Sequence, residues 1–221
     1  MSTTINFYNR NNNLITEQQA NQLNDFLKEI YIDNILKKKE TYYDKTLWGG
    51  TYYLSPGENV TEVLTNLGAH LKWSIASNKQ VINGYTVFDY RFYDDNLQQE
   101  SKYSKEVTDN LSNHIATVSF DSVTNQAISA YKVFNYGNQQ IPWEDSGDLF
   151  PEDSWISFSI SYKDNEKIVA VTMMYDIINN DSLWTDLNSF LTDAEDMLEE
   201  IGLTQEKLDY FTNIEPVVPN F

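Results

Sequence analysis

Cysteine is absent from the 221 residues of this chain. Without thiols, the protein cannot use disulfides, thiol catalysis, Cys-ligated zinc or iron–sulfur clusters. No stretch approaches the roughly 18 apolar residues that a membrane-spanning helix needs. Residues 1–13 also lack the basic segment and apolar stretch of a secretory signal. We therefore expect a cytoplasmic protein that engages no membrane.

Positive charge is scarce, because 15 Lys and Arg oppose 33 Asp and Glu for a net charge of −18. The imbalance is concentrated after Tyr136, where 18 acidic residues face only 3 lysines. A field of one sign attracts partners of the opposite sign and raises their association rates. The distribution predicts a cationic protein partner. The alternative is that the acidity only keeps the protein soluble.

Clustered bases, which phosphate contacts require, occur only at Lys37-Lys38-Lys39. These lysines fall at the end of a predicted helix, where cations interact favourably with the helix dipole. We therefore predict no direct binding of nucleic acid.

Hydrophobic residues make up 41% of the chain and aromatic residues 14%, which is enough to build a folded core. No low-complexity linker or internal repeat interrupts the chain. The sequence predicts one α+β domain over residues 1–221. In it, an antiparallel sheet of about four to six strands packs with amino-terminal and carboxyl-terminal helices.

The amino-terminal half predicts two long helices. Thr16 fits an N-cap with Gln19 at the capping-box position, and the apolar residues that follow predict a helix ending between Lys39 and Tyr43. A second apolar stripe predicts a helix from Val60 to Ile75. Short strands are predicted at residues 4–8, 47–54 and 86–93, and residues 94–109 are predicted to be a loop with some helix.

The carboxyl-terminal half predicts two hairpins and two helices. The strands fall at residues 115–120, 127–136, 155–162 and 168–175, and their alternation indicates a sheet with one covered and one wetter face. The first helix begins at Ser182 or Asp186 and ends before Gly202. Thr204 caps the second.

The predicted binding site combines an acidic, aromatic loop with an acidic helix face. Aromatic side chains would anchor a partner, and carboxylates would pair with its Lys and Arg side chains. The helix face has almost no compensating bases, which indicates a use beyond solvation. The candidate residues are Trp143, Glu144, Asp145, Asp148, Phe150, Glu152, Asp153, Trp155, Asp193, Asp196, Glu199 and Glu200.

Two other chemistries compete for the same loop. Paired carboxylates flanked by tryptophans suit a carbohydrate hydrolase, with Glu144, Asp145, Glu152 or Asp153 as acid and base. Carboxylates also suit calcium, although the EF-hand spacing is absent. Neither His70 nor His114 lies in a catalytic motif, and no phosphate-binding loop or nucleophile elbow occurs.

The overall profile is that of a small, acidic, cysteine-free, single-domain α+β chain, and it resembles bacterial polymorphic-toxin immunity proteins. The resemblance implies a protein that binds a cognate basic toxin or enzyme domain and occludes its active site. It implies no catalytic activity, cofactor or metal, and it leaves the oligomeric state open. The competing hypotheses are the carbohydrate hydrolase and a structural or regulatory cytoplasmic domain.

Overall fold

The computed structural model describes residues 1–68, 71–137, 154–164, 166–174, 181–184 and 186–221. Strands dominate these residues. They are β1 (Thr3–Tyr8), β2 (Leu14–Ile15), β3 (Phe26–Ile32), β4 (Ile35–Tyr43), β5 (Thr46–Tyr53), β6 (Lys72–Ile82), β7 (Tyr85–Tyr93), β8 (Gln99–Thr108), β9 (His114–Asp121), β10 (Ala127–Asn135), β11 (Trp155–Lys163), β12 (Glu166–Met174) and β13 (Asp181–Trp184).

Helices are short by comparison. They are α1 (Glu17–Ala20), α2 (Val60–Leu67), α3 (Leu187–Asp193), α4 (Glu195–Leu198) and α5 (Gln205–Phe211). None of these helices has the length and apolar character needed to cross a membrane. The predicted α+β class with four to six strands is therefore wrong, because the protein is mainly β.

The strands form one open, largely antiparallel sheet, in the order β13-β12-β11-β10-β9-β8-β7-β6-β5-β4-β3-β1-β2 among the described residues. β5 and β6 pair in parallel, with α2 as the connection between them. Chain contacts divide the molecule into two compact units. Unit 1 comprises Met1–Lys79 and Phe88–Tyr103, and unit 2 comprises Gln80–Val87 and Ser104–Phe221. That the whole chain is one domain stays a prediction.

In unit 1, the predicted long helix is instead a short helix and two strands. Thr16 does cap α1 with the predicted capping box to Gln19. After it, β3 and β4 form a hairpin around Asp33-Asn34, whose φ angles of 50° and 64° are those of a two-residue type I′ turn. The spacing of apolar residues resembled that of a helix because it combined two strands with the turn between them.

The lysines at 37–39 lie in β4 and not at a helix end, and each has a carboxylate partner. Lys37 pairs with Glu58, Lys38 with Glu40 and Lys39 with Glu29, at N–O distances of 2.6, 2.7 and 2.9 Å. Glu29 and Lys39 are directly opposed across β3 and β4, as are Lys28 and Glu40 on the other face. A slip of one residue would break both pairs, so these charges help to set the register.

Glu40 shows how strongly this pairing holds a charge in place. Burial alone would raise the pKa of Glu40. The hydrogen bond and charge of Lys38, together with the charge of Lys28, outweigh burial and lower it below its usual value. The hydroxyl of Tyr42 donates a further hydrogen bond of 3.0 Å. Glu40 is therefore a buried anion with three donors.

The second predicted helix also ends early. Asn59 caps α2, and Gly68 at φ 92° ends it, so that Ile75 belongs to β6. The helix packs Val63 and Leu64 against Trp73, Ile75 and Tyr93 in the core of unit 1. Residues 94–109 are also not a loop with helix, because β8 begins at Gln99.

Three hairpins repeat one five-residue turn, at residues 9–13, 94–98 and 109–113. In each, the side-chain oxygen of the first residue accepts hydrogen bonds of 2.8 to 3.0 Å from the N–H groups of the third and fifth residues. The fourth residue has a positive φ of 59°, 60° or 68°. An Asn or Asp at the first position is thus what these turns share.

In unit 2, the predicted strands are confirmed within a few residues. β9 to β12 pair antiparallel in sequence order. Ile156, Phe158 and Ile160 are buried on one face, whereas Ser159 and Ser161 are exposed on the other. The predicted covered and wetter faces are therefore both present.

Gly50 provides a test of the close strand packing in unit 1. A Cβ atom at Gly50 would lie 2.0 Å from the carbonyl oxygen of Lys39 and 3.0 Å from the Trp73 ring. We predict that Gly50→Ala lowers the free energy of unfolding by about 3 kcal/mol, because backbone must move to relieve the clash. Denaturant unfolding followed by circular dichroism measures this.

Gly57→Ala is the matched control, since Gly57 has a φ of 86° but no atom within 4 Å of the added Cβ. It should cost about 1 kcal/mol for backbone strain alone. Equal losses in the two variants would contradict the packing shown for Gly50.

Candidate functional site

Most of the predicted loop site lies outside the described residues. This holds for Trp143, Glu144, Asp145, Asp148, Phe150, Glu152 and Asp153. The carbohydrate-hydrolase and calcium hypotheses depended on the same loop, so their carboxylates also lie outside the described residues. His70 does as well.

Trp155 is described and is the first residue of β11. Because side chains alternate along a strand, Trp155 lies on the face opposite Ile156 and Phe158. The helices of unit 2 pack against the face that carries Phe158, since the rings of Phe158 and Phe190 have their centroids 6.0 Å apart. Trp155 and the acidic helices are therefore on opposite faces of the sheet.

The acidic helices form a layer on the sheet, here called the helical layer and defined as residues 186–215. Asp186 caps α3 by accepting a hydrogen bond of 2.9 Å from the Ser189 N–H, and this bond lowers the pKa of its carboxyl. Thr204 caps α5, and Gly202 has a φ of 74°. All three were predicted from sequence as helix boundaries.

An apolar stripe holds this layer on the sheet. The rings of Phe190 and Phe211 both lie against Phe158. The Phe211 ring also lies against Phe134, with the two ring centroids 5.6 Å apart. The buried residues of the layer are Phe190, Ala194, Met197, Leu198, Ile201, Leu203, Leu208, Tyr210, Phe211, Thr212 and Ile214. Burial of this much apolar surface gives the layer a defined position.

The opposite side of the helical layer exposes eight carboxylates to solvent. They are Asp186, Asp193, Glu195, Glu199, Glu200, Glu206, Asp209 and Glu215. Asp193, Glu199 and Glu200 belong to the predicted site, and the side chain of Asp196 lies outside the described residues. Glu206, Asp209 and Glu215 were missed because only one helix was predicted to be the binding face, whereas Asp186 was predicted only as a helix start and Glu195 was not among the candidate residues.

Few contacts neutralise these carboxylates. Asp193 accepts a hydrogen bond of 2.7 Å from the Trp184 indole, and Asp209 accepts one of 2.8 Å from Gln205. Lys207 is the only basic residue of the layer in the sequence, and its ammonium donates to the Gly202 carbonyl at 2.7 Å.

Unit 2 carries a formal charge of −16 and unit 1 one of −2. In unit 1, by contrast, ion pairs with Lys or Arg neutralise the carboxylates of Asp25, Glu29, Glu40 and Glu58.

Lys132 joins the helical layer to the sheet. It lies in β10, its residue is 0% exposed, and its ammonium donates 2.9 Å hydrogen bonds to the carbonyl oxygens of Tyr210 and Pro216. The same nitrogen lies 3.7 Å from the centre of the Tyr210 ring. Burial lowers the pKa of Lys132 to about 7, and the charge of Glu215 opposes that shift.

Lys132 was not predicted as a functional residue, although the sequence carries a signal for it. Ala130, Lys132 and Phe134 share the buried face of β10, so alternation places a lysine between two core residues. A lysine at such a position needs acceptors when it is buried. Here one acceptor, the Tyr210 carbonyl, lies in α5, and the other, the Pro216 carbonyl, lies in the segment after it.

The residues after α5 complete this attachment. Tyr210 donates a hydrogen bond of 3.0 Å from its hydroxyl to the Val217 carbonyl, and burial raises its pKa. Asn83 donates one of 3.1 Å to the Pro219 carbonyl. Val217 and Val218 pack against the buried cluster of Val87, Val107 and Ala116.

Neither a catalytic arrangement around His114 nor a metal-binding cluster is present among the described residues. The Nε2 atom of His114 lies 2.8 Å from the Thr117 hydroxyl, and burial lowers the pKa of the imidazole. No carboxylate among the described residues is hydrogen-bonded to this ring. In the same part of the chain, no group of three or more His, Asp or Glu side chains could hold a metal ion.

Comparisons of this chain with protein-family models, curated proteins and solved structures found no match.

The buried ammonium of Lys132 predicts an unusual dependence of stability on pH. Its pKa of about 7 in the folded protein lies below the ordinary value of 10.5, so between these values the unfolded chain binds more protons. The free energy of unfolding should therefore rise from pH 7.5 to 8.5, below the range in which tyrosines ionise, by at most about 1.4 kcal/mol per pH unit. Urea unfolding across this range measures the slope.

Lys132→Met provides the comparison, since methionine keeps much of the apolar volume without a titrating group. The variant should lose most of this rise, whereas Lys163→Met, at an exposed lysine of β11, should keep it. A wild-type slope that is flat or negative in this range would contradict the lowered pKa.

Proposed function

We propose that this protein is an acidic protein-binding module that inhibits a basic partner. Its exposed carboxylates would pair with Lys and Arg side chains of the partner and cover a functional surface there. The observation that carries the proposal is the helical layer with its eight exposed carboxylates and its single lysine, which is bound to a backbone carbonyl.

The layer suits this role because its contacts with the sheet fix its position. Lys132, the aromatic contacts of Phe158 and the caps at Asp186 and Thr204 leave few degrees of freedom in the backbone that carries the carboxylates. A preorganised charged surface loses less entropy on binding than a mobile one. Its uncompensated charge would also speed encounter with a cation and make binding sensitive to salt.

The class of partner follows from the same chemistry. A surface of this charge repels nucleic acid and anionic lipid, and it attracts proteins whose own ligands are anionic, such as nucleases. The immunity-protein resemblance predicts such a partner, a toxin or enzyme domain with a basic active site. No described contact favours the carbohydrate hydrolase.

Charge-neutralised variants test the proposal. A layer variant carries Glu195→Gln, Glu199→Gln and Glu200→Gln, and a matched variant carries Glu62→Gln, Glu100→Gln and Asp95→Asn at exposed sites of unit 1. Both lose the same charge. Each is immobilised and used to capture proteins from the native host, and the affinity of any basic protein retained is then measured at about 50 mM and 200 mM salt.

We expect the wild type and the matched variant to bind a basic protein and inhibit its activity, with affinity that falls as salt rises. The layer variant should bind it at least about tenfold more weakly, because each lost rim contact contributes up to about 1 kcal/mol. Equal affinity of both variants would contradict the proposal. It would favour the hypothesis that the acidity only maintains solubility.

A further inference from the structure

The edge of the sheet at β1 is only partly covered. β1 follows β3 in the sheet, and β2 is the last strand in the order. β2 has two residues, which pair with Phe7 and Tyr8 alone. The chain then enters α1 at its cap Thr16, so the space beside the first part of β1 contains no strand.

The register shows which backbone groups of β1 face this space. The Asp33 N–H donates to the Ser2 carbonyl, so Ser2 and every second residue after it bond to β3. On the other side, the Asn9 N–H donates to the Asn13 carbonyl, so the odd-numbered residues of β1 face β2. Thr3, Ile5 and Phe7 therefore direct their N–H and C=O groups outward, and β2 covers only Phe7.

A groove of about 340 Å³ lies where this open edge meets β2. Its lining includes Ile5 and Phe7 from β1, Ile15 from β2 and Thr16 from the start of α1. Two large apolar side chains of its lining are exposed, since Ile5 is 45% exposed and Leu14 is 67% exposed. The edge thus presents backbone hydrogen-bonding groups beside apolar surface.

The first part of β1 lacks the sequence features that usually prevent an exposed edge strand from pairing. Exposed edge strands commonly carry a lysine, a proline or a bulge that prevents association. Residues 3–8 contain no charged residue and no proline, and their register with β3 is continuous. Unit 1 has a formal charge of only −2, so two such surfaces can meet with little repulsion even though the whole chain carries −18.

We propose that β1 is a self-association edge, at which two copies of this chain pair their β1 strands antiparallel about a two-fold axis through Thr4. In this arrangement Thr3 of each copy lies opposite Ile5 of the other. The outward N–H and C=O groups of these residues then form four hydrogen bonds between the copies. No new backbone conformation is needed, because both strands are already extended.

A second copy fits this edge because the edge is complementary to itself. The same two residues supply all donors and all acceptors, and the two-fold operation matches each with its partner. Ile5 of one copy packs beside Thr3 of the other on the same face of the joined sheet. In this register Ser2 of the second copy lies opposite Asn6, so the new pairing ends where β2 begins to cover Phe7.

The proposal is tested with two isoleucine-to-lysine variants. Ile5→Lys places a charge at the edge, whereas Ile35→Lys places one on β4, where the isoleucine is 69% exposed and has no part in the edge. Both change the net charge by the same amount. Sedimentation equilibrium from about 1 µM to about 1 mM measures the dimer dissociation constant, and circular dichroism confirms that each variant folds.

We expect the wild type to form a dimer in this range, Ile5→Lys to weaken it at least about tenfold, and Ile35→Lys to change it less than about twofold. Added salt should strengthen the dimer by screening repulsion, which is opposite to its effect on a basic partner. The Thr3 and Ile5 amides should exchange with solvent more slowly at high protein concentration.

A monomer throughout the range would overturn the proposal, whether or not the edge then bound a strand of another protein. So would equal weakening by both lysine variants, or Thr3 and Ile5 amides that exchange at one rate at all concentrations. None of these outcomes affects the acidic surface, since the two variants leave the helical layer unchanged.

Discussion

The buried ammonium group of Lys132 is the contact on which the arrangement of unit 2 depends. It connects the middle of the sheet to the last helix and to the segment after it through the carbonyl oxygens of Tyr210 and Pro216. Those carbonyls need a donor at this depth, and the ammonium needs acceptors, so removal of either leaves a costly unsatisfied group. The surrounding phenylalanines add apolar attraction without direction, whereas Lys132 fixes one position for the layer.

The two units handle charge differently, and this difference underlies the functional proposal. In unit 1 the carboxylates of Glu29 and Glu40 lie within the sheet and pair with Lys39 and Lys28, respectively, on the neighbouring strand. In unit 2 eight carboxylates are exposed on the outer side of the helical layer, with Lys132 and Lys207 bound to backbone carbonyls. Charge thus sets strand register in one unit and remains available to a partner in the other.

Sequence patterns predicted the strands from Ile115 to Tyr175 and the caps at Thr16, Asp186 and Thr204, because alternation and capping are local. They failed between Thr16 and Tyr43, where two strands joined at Asp33-Asn34 produced an apolar spacing close to that of a helix. The acidic face of the helical layer was predicted in part, through Asp193, Glu199 and Glu200. The attachment by Lys132 links residues far apart in sequence, and no local pattern identifies its acceptors.

If Lys132 holds the acidic layer in place, its loss should free α5 before it affects the strands, and amide hydrogen exchange measures this. Exchange of the α5 amides from Leu208 to Phe211 is compared with that of β9 to β11 in the wild type and in Lys132→Met. We expect exchange at least about tenfold faster in α5 of the variant, with the strands little changed, because a local attachment is lost. Uniform acceleration of helix and strands, or none in either, would contradict it.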